Sequence, residues 1–135
     1  MAVTTLTVAT ATLAGTALSS STSWREVTTA GTIVIDTTDF DKLLIVATNA
    51  ASAESVAVDI ESNSEYSSEG IGDYALTIPT GGAAIGGISA SWEIIQVRDS
   101  ARFKSSSGTL IFTITAGGFP SAGTMYWGAL VTRST

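Results

Sequence analysis

Apolar residues recur at every second position in one stretch of this chain after another, and the positions between them are mostly hydroxylic. Thr109–Thr115 reads T-L-I-F-T-I-T, which puts Leu110, Phe112 and Ile114 on one face of an extended strand. Ser55–Ile60 repeats the pattern, with Val56, Val58 and Ile60 against Ser55, Ala57 and Asp59. A period of two suits the pleat of a sheet and not a helix, whose faces recur every 3.6 residues. Threonine strengthens the bias, because its branched Cβ fits a strand and its hydroxyl accepts water or a protein neighbour. A chain patterned this way is committed to sheet.

The remaining segments fit the same reading. Val3–Leu13 alternates Leu6 and Val8 with threonine, and Trp24–Val27 and Thr32–Asp36 follow as short strands. Lys42–Thr48 (K-L-L-I-V-A-T) is nearly all apolar, which places it at the centre of a sheet or buried on both faces. Tyr74–Ile78, Ser89–Val97 and Thr124–Thr132 complete the series. Ser62–Gly72 is polar and reads as a loop, and Ser105–Gly108 (S-S-S-G) reads as a hairpin turn. About eight to nine short strands, separated by turn signals roughly every 8–15 residues and with no convincing helix, predict an all-β fold. The expected form is an antiparallel β-sandwich or jelly roll, one domain over residues 1–135.

Composition limits the function. The chain has no histidine and no cysteine. The usual nucleophile–base pairs therefore cannot be assembled, and the expectation is a structural or binding role: no enzyme, no cofactor, no metal. Only 13% of residues are charged, against a typical ~25%, while about three in ten are serine or threonine. A threonine-coated surface is either a solvated sheet face or one that another subunit covers. The net charge is −6, and the basic residues Arg25, Lys42, Arg98, Arg102, Lys104 and Arg133 form no stripe, so nucleic acid is not an expected partner. The local trio Arg98, Arg102 and Lys104 reads as a polar rim.

The first residues, MAVTTLTVATATLAGTALSS, lack a positive n-region and a continuous apolar h-region, so no signal peptide is expected. No run approaches the ~18 apolar residues of a membrane span. With a strand pattern ahead of the run Ser19–Ser23, residues 1–15 read as an N-terminal arm or swapped strand that reaches a neighbour.

Four groups of residues invite a site reading. Asp36, Asp39 and Asp41 lie near a turn and could offer oxygen ligands to a cation, but no glycine or closing glutamate completes a calcium loop; the plain reading is a solvated turn with Asx caps. Glu61, Glu65, Glu69 and Asp73 line a polar stretch with only Tyr66 as an aromatic companion, which argues for a solvated acidic loop over a glycosidase pair. Trp24, Trp92, Trp127, Tyr126 and Phe119 could build a sugar-stacking platform. Trp92 and Trp127 read instead as core, and Trp24 as the aromatic at a surface or interface. Ser19–Ser23 and Gly81-Gly82 match no phosphate loop, because no Gly-Lys-Ser/Thr follows.

One longer pattern remains. Asp41–Ile60 has the form D-K-L-L-I-V-x-T-N-A-x-S-A-x-x-V-x-V-x-I. It is followed by Gly70-Ile71-Gly72-Asp73, Leu76-Thr77-Ile78-Pro79, Gly81-Gly82, Gly86-Gly87, Ser100-Ala101-Arg102-Phe103 and Gly108-Thr109-Leu110-Ile111-Phe112. Over Lys42–Thr115 this order resembles the capsid decoration (auxiliary, or cement) proteins of tailed bacteriophages; the first forty residues have no counterpart in it. The resemblance implies an antiparallel β-fold and a homo-oligomer, often a homotrimer. It also implies a virion structural protein, made in the host cytoplasm, that stabilises the capsid surface by docking on the major capsid protein lattice. The alternative function is a carbohydrate- or receptor-binding β-module of a virion.

Overall fold

A computed structural model describes residues 2–10, 23–36, 42–49, 55–78, 91–97, 100–114 and 125–131. The strands are β1 (Ala2–Thr7), β2 (Ala9–Thr10), β3 (Trp24–Val27), β4 (Gly31–Asp36), β5 (Leu43–Asn49), β6 (Val56–Ile60), β7 (Tyr74–Ile78), β8 (Ser91–Ile95), β9 (Thr109–Ile114) and β10 (Met125–Val131). Two short helices, α1 (Ser64–Ser68) and α2 (Ser100–Phe103), lie between them. The fold is all-β. The first sheet has the order β1-β4-β9-β6-β7; the second has β2-β10-β5-β8, with β3 also paired to β10.

The two sheets share one apolar core in a sandwich-like arrangement. Ile33, Ile35, Leu110, Phe112, Ile114, Val58 and Ile78 enter it from the first sheet, and Leu43, Ile45, Ala47, Met125, Trp127 and Ala129 from the second. Trp127 and Phe112 meet across the sheets, with ring centroids 5.1 Å apart and planes tilted by 52°. The period-two readings of Val56/Val58/Ile60 and Leu110/Phe112/Ile114 hold: each named residue is buried and the residues between them are not. β5 is central in its sheet, as its apolar run predicts, with Leu43, Ile45 and Ala47 turned to the core.

Three features depart from the expected antiparallel sandwich. Pairing is mixed: β1 runs parallel to β4, and β2 parallel to β10. Parallel neighbours need a crossover connection, and the chain makes one here, since β2 and β3 of the second sheet intervene between β1 and β4. The strand count among the described residues is ten rather than eight or nine, because the single strand read over Val3–Leu13 is divided at Val8. Its first part closes the edge of one sheet and its second part the edge of the other, so the N-terminal strand joins the two sheets along one side. Leu6 is fully buried and Val8 packs against the core. Within this chain β1 pairs with β4 of its own sheet, and residues 1 and 11–15 of the segment read as an arm or swapped strand lie outside the described residues.

The third departure is helical. The stretch Ser62–Gly72, read as a loop, contains α1. Asn63 is its N-cap, its side-chain Oδ1 accepting the Tyr66 amide at 3.2 Å, and Glu65 sits in the first turn where the helix dipole favours an acid. Ser105–Gly108 is a turn, but it links α2 to β9 instead of joining two strands of a hairpin; Gly108 takes φ +80 there, a conformation open to glycine.

Candidate interaction surfaces

The outer face of the first sheet is a regular surface that spans five strands. One row crosses all five strands: Val3, Thr32, Thr113, Asp59 and Ala75 stand opposite one another in register. The next row carries Thr5, Val34 and Ile111, and the one beyond it Thr7, Asp36 and Thr109. Methyl and hydroxyl groups dominate. The carboxylates beside them are Asp36, Asp59 and Glu61, and Glu61 is already engaged, accepting the Thr113 hydroxyl at 2.7 Å. Such a face can lose its water with little penalty, because few charges must be desolvated and every hydroxyl can either donate or accept.

The outer face of the second sheet is aromatic and aliphatic. Trp24 stands opposite Gly128 in the register, and the glycine is what lets the indole lie there: a Cβ at position 128 would come within 2.5 Å of the Trp24 ring. Tyr126 is the next outward residue of β10, and its ring is parallel to that of Trp24, with an interplanar angle of 6° and centroids 5.8 Å apart. Both are half-buried. Thr48 pins this region from the neighbouring strand β5, its Oγ1 accepting the Tyr126 amide at 3.1 Å. Leu44, Val46 and Leu130 share the face, and Ile94 is 70% exposed on it.

A cleft of about 510 Å³ opens between β7 and β8, which do not pair with each other among the described residues. Ile60, Leu76, Ile95 and Phe103 contribute to its apolar lining, with Tyr74, Glu93 and Arg102 among its polar groups. Its volume falls in the range of small-ligand sites. Arg102 is held at the margin: Nε donates to Ser62 Oγ at 3.1 Å, Nη2 donates to the Gly72 carbonyl at 2.7 Å, and the guanidinium lies 4.7 Å from the centroid of the Phe103 ring. Asn63 completes the tie between the helices, its Nδ2 donating to the carbonyls of Ala101 at 2.6 Å and Lys104 at 3.1 Å. Sequence reasoning placed Arg102 on a polar rim and gave Asn63 no role. Asn63 was findable as a cap ahead of Glu65; the ties to Ala101, Lys104, Ser62 and Gly72 join segments about thirty to forty residues apart and leave no local signal.

The structure describes part of the other sequence-read groups. Asp36 ends β4, while Asp39 and Asp41 lie outside the described residues. Among Glu61, Glu65, Glu69 and Asp73 each carboxylate has its own local setting: Glu61 binds Thr113, Glu65 and Glu69 belong to α1 and its C-cap, and Asp73 accepts the Ser62 amide at 2.9 Å. Among the described residues no cluster of three or more such side chains is placed to hold a metal ion. Trp127 is core, as read. Trp92 stands opposite Thr48 in the register, but its side chain, like Phe119, Ser19–Thr22, Gly81-Gly82, Arg98 and Arg133, lies outside the described residues. No family model, curated protein or solved structure matches the chain.

Proposed function

We propose that this protein is a structural component of an assembly: a capsid decoration protein that docks on a major capsid protein lattice as a homo-oligomer and stabilises the virion surface. The observation that supports this reading most is the outer face of the first sheet, where rows of threonine, valine and isoleucine cross the strands with three carboxylates and no basic residue among those described. A face of this kind suits burial against a protein lattice better than capture of a charged ligand. The order of segments over Lys42–Thr115, which resembles decoration proteins, points the same way. Purified protein added to capsids that lack it is expected to bind to a saturable occupancy and to raise their resistance to heat. Because the contact is mainly apolar and hydroxylic, affinity should fall by less than about tenfold between low and moderate salt. A steep salt dependence, or no binding to any capsid, contradicts this reading.

A second reading is favoured by the parallel Trp24 and Tyr126 rings. Flat aromatic faces pack against the C–H faces of sugar rings, so a carbohydrate- or receptor-binding module would use the second sheet. Retention on a polysaccharide column, lost on Trp24→Ala, would establish it in place of decoration.

A further inference from the structure

We propose that copies of this chain associate head to tail through the outer strands of the first sheet, β7 of one copy pairing with β1 of the next. This names the self-contact within the assembly reading above and rests on that reading only for the homo-oligomer itself.

β1 and β7 are the two ends of the sheet order, and the far edge of each has no strand partner among the described residues. Exposed edges of this kind are normally guarded by charge or proline. Here the charges within the strands sit inside the sheet, Asp36 on β4 and Asp59 on β6, while β1 (A-V-T-T-L-T) and β7 (Y-A-L-T-I) carry neither charge nor proline along their length, the guards of β7 being confined to its ends at Asp73 and Pro79. By contrast β8, one of the outer strands of the second sheet, carries Glu93. The large apolar side chains that stand exposed also gather at edges: Val3 at 64% on β1, Tyr74 at 53% on β7, Ile71 at 42% just before β7, and Ile94 on β8.

Strand direction and charge point to a second copy as the occupant. β4 runs parallel to β1, and β9, β6 and β7 then alternate, so β7 opposes β1 in direction. A copy placed beside the first by rotation about an axis along the strands therefore meets it in an antiparallel pair, the better-bonded geometry. Each chain has a net charge of −6, and two neutral strands let such chains meet without setting carboxylate against carboxylate. Both halves of the contact lie on one chain at opposite ends of one sheet, which makes the interface heterologous and able to close into a ring. The rows of the threonine-coated face then run on from copy to copy.

The chain has no cysteine, so an introduced thiol is a unique reporter. Thr5 and Ala75 are exposed residues of β1 and β7 on the outer face. A mixture of Thr5→Cys and Ala75→Cys proteins, treated with a short bis-maleimide at micromolar concentration, should give about tenfold more cross-linked dimer than either variant alone. A double Thr5→Lys/Ala75→Lys variant should fall to monomer mass while its melting temperature stays within about 3 °C. The proposal is overturned if Ala75→Cys cross-links with itself as readily as with Thr5→Cys, if the mixture gives no cross-link, or if the double lysine variant keeps its oligomer. Capsid binding is read separately: a monomeric wild-type protein that still coats capsids removes the edge contact and keeps decoration, whereas a cross-linked ring that binds no capsid keeps the edge contact and removes decoration.

Discussion

Trp127→Ala should lower stability by about 3–5 kcal/mol, the range for removing a buried aromatic, and the melting temperature by roughly 10–20 °C. Trp127 is fully buried at the centre of β10, between β3 and β5. Its ring is the place where the second sheet meets the first, against Phe112. Truncation opens a cavity between the sheets that neither can fill without sliding on the other. The indole carries one offsetting feature, an Nε1 buried without a hydrogen-bond partner among the described residues, and an unpaired buried donor is unfavourable by about 1–3 kcal/mol. Trp127→Phe removes that group and keeps an aromatic face, so it should destabilise by less than half as much as alanine. Denaturant melts of the two variants check both values. An alanine variant within about 1 kcal/mol of wild type would mean that the sheets do not depend on this contact.

Deleting residues 1–10 should abolish the cooperative unfolding transition. The deletion removes a six-residue ladder on β4, the fully buried Leu6, and the β2 pairing to β10 that carries the chain from one sheet to the other. It leaves β4 as a raw edge and opens the core along the joined side. Leu6→Ala isolates the packing part and should be destabilising by about 2–5 kcal/mol. Near-UV circular dichroism and a thermal melt decide the matter. A truncated chain that keeps both a near-UV signal and a sharp transition would show that the segment is a free arm, as its threonine-rich pattern also allows.

The contrast between those two sites explains what was legible in the sequence. Leu110, Phe112 and Ile114, or Val56, Val58 and Ile60, announce their face because burial on one side of a sheet requires a period of two. Strand direction leaves no such trace: β1 alternates in the same way whether its neighbour runs with it or against it, so the parallel β1–β4 pair came only with the structure. The division at Val8 was hidden for the same reason, since the alternation continues through it into the other sheet. Gly128 had a signal that sequence reading passed over. A glycine inside the apolar run M-Y-W-G-A-L-V marks a close approach, and the approaching group is Trp24, opposite it in the register. The threonine-coated face was anticipated as a kind of surface, but its rows depend on registers among strands far apart in sequence.

The central claim is that the outer face of the first sheet is the docking surface, and a comparison of the two faces on one assay tests it most directly. Thr32 and Ala57 lie on that face, half-buried and exposed, and Thr32→Lys/Ala57→Lys introduces charge there while a lysine stem can still reach solvent. Trp24→Ala alters the face of the second sheet instead. With capsid occupancy as the readout, the lysine pair should weaken binding by about tenfold or more at an unchanged fold, and Trp24→Ala should leave it within about twofold. Full binding by the lysine pair together with loss on Trp24→Ala would contradict the account.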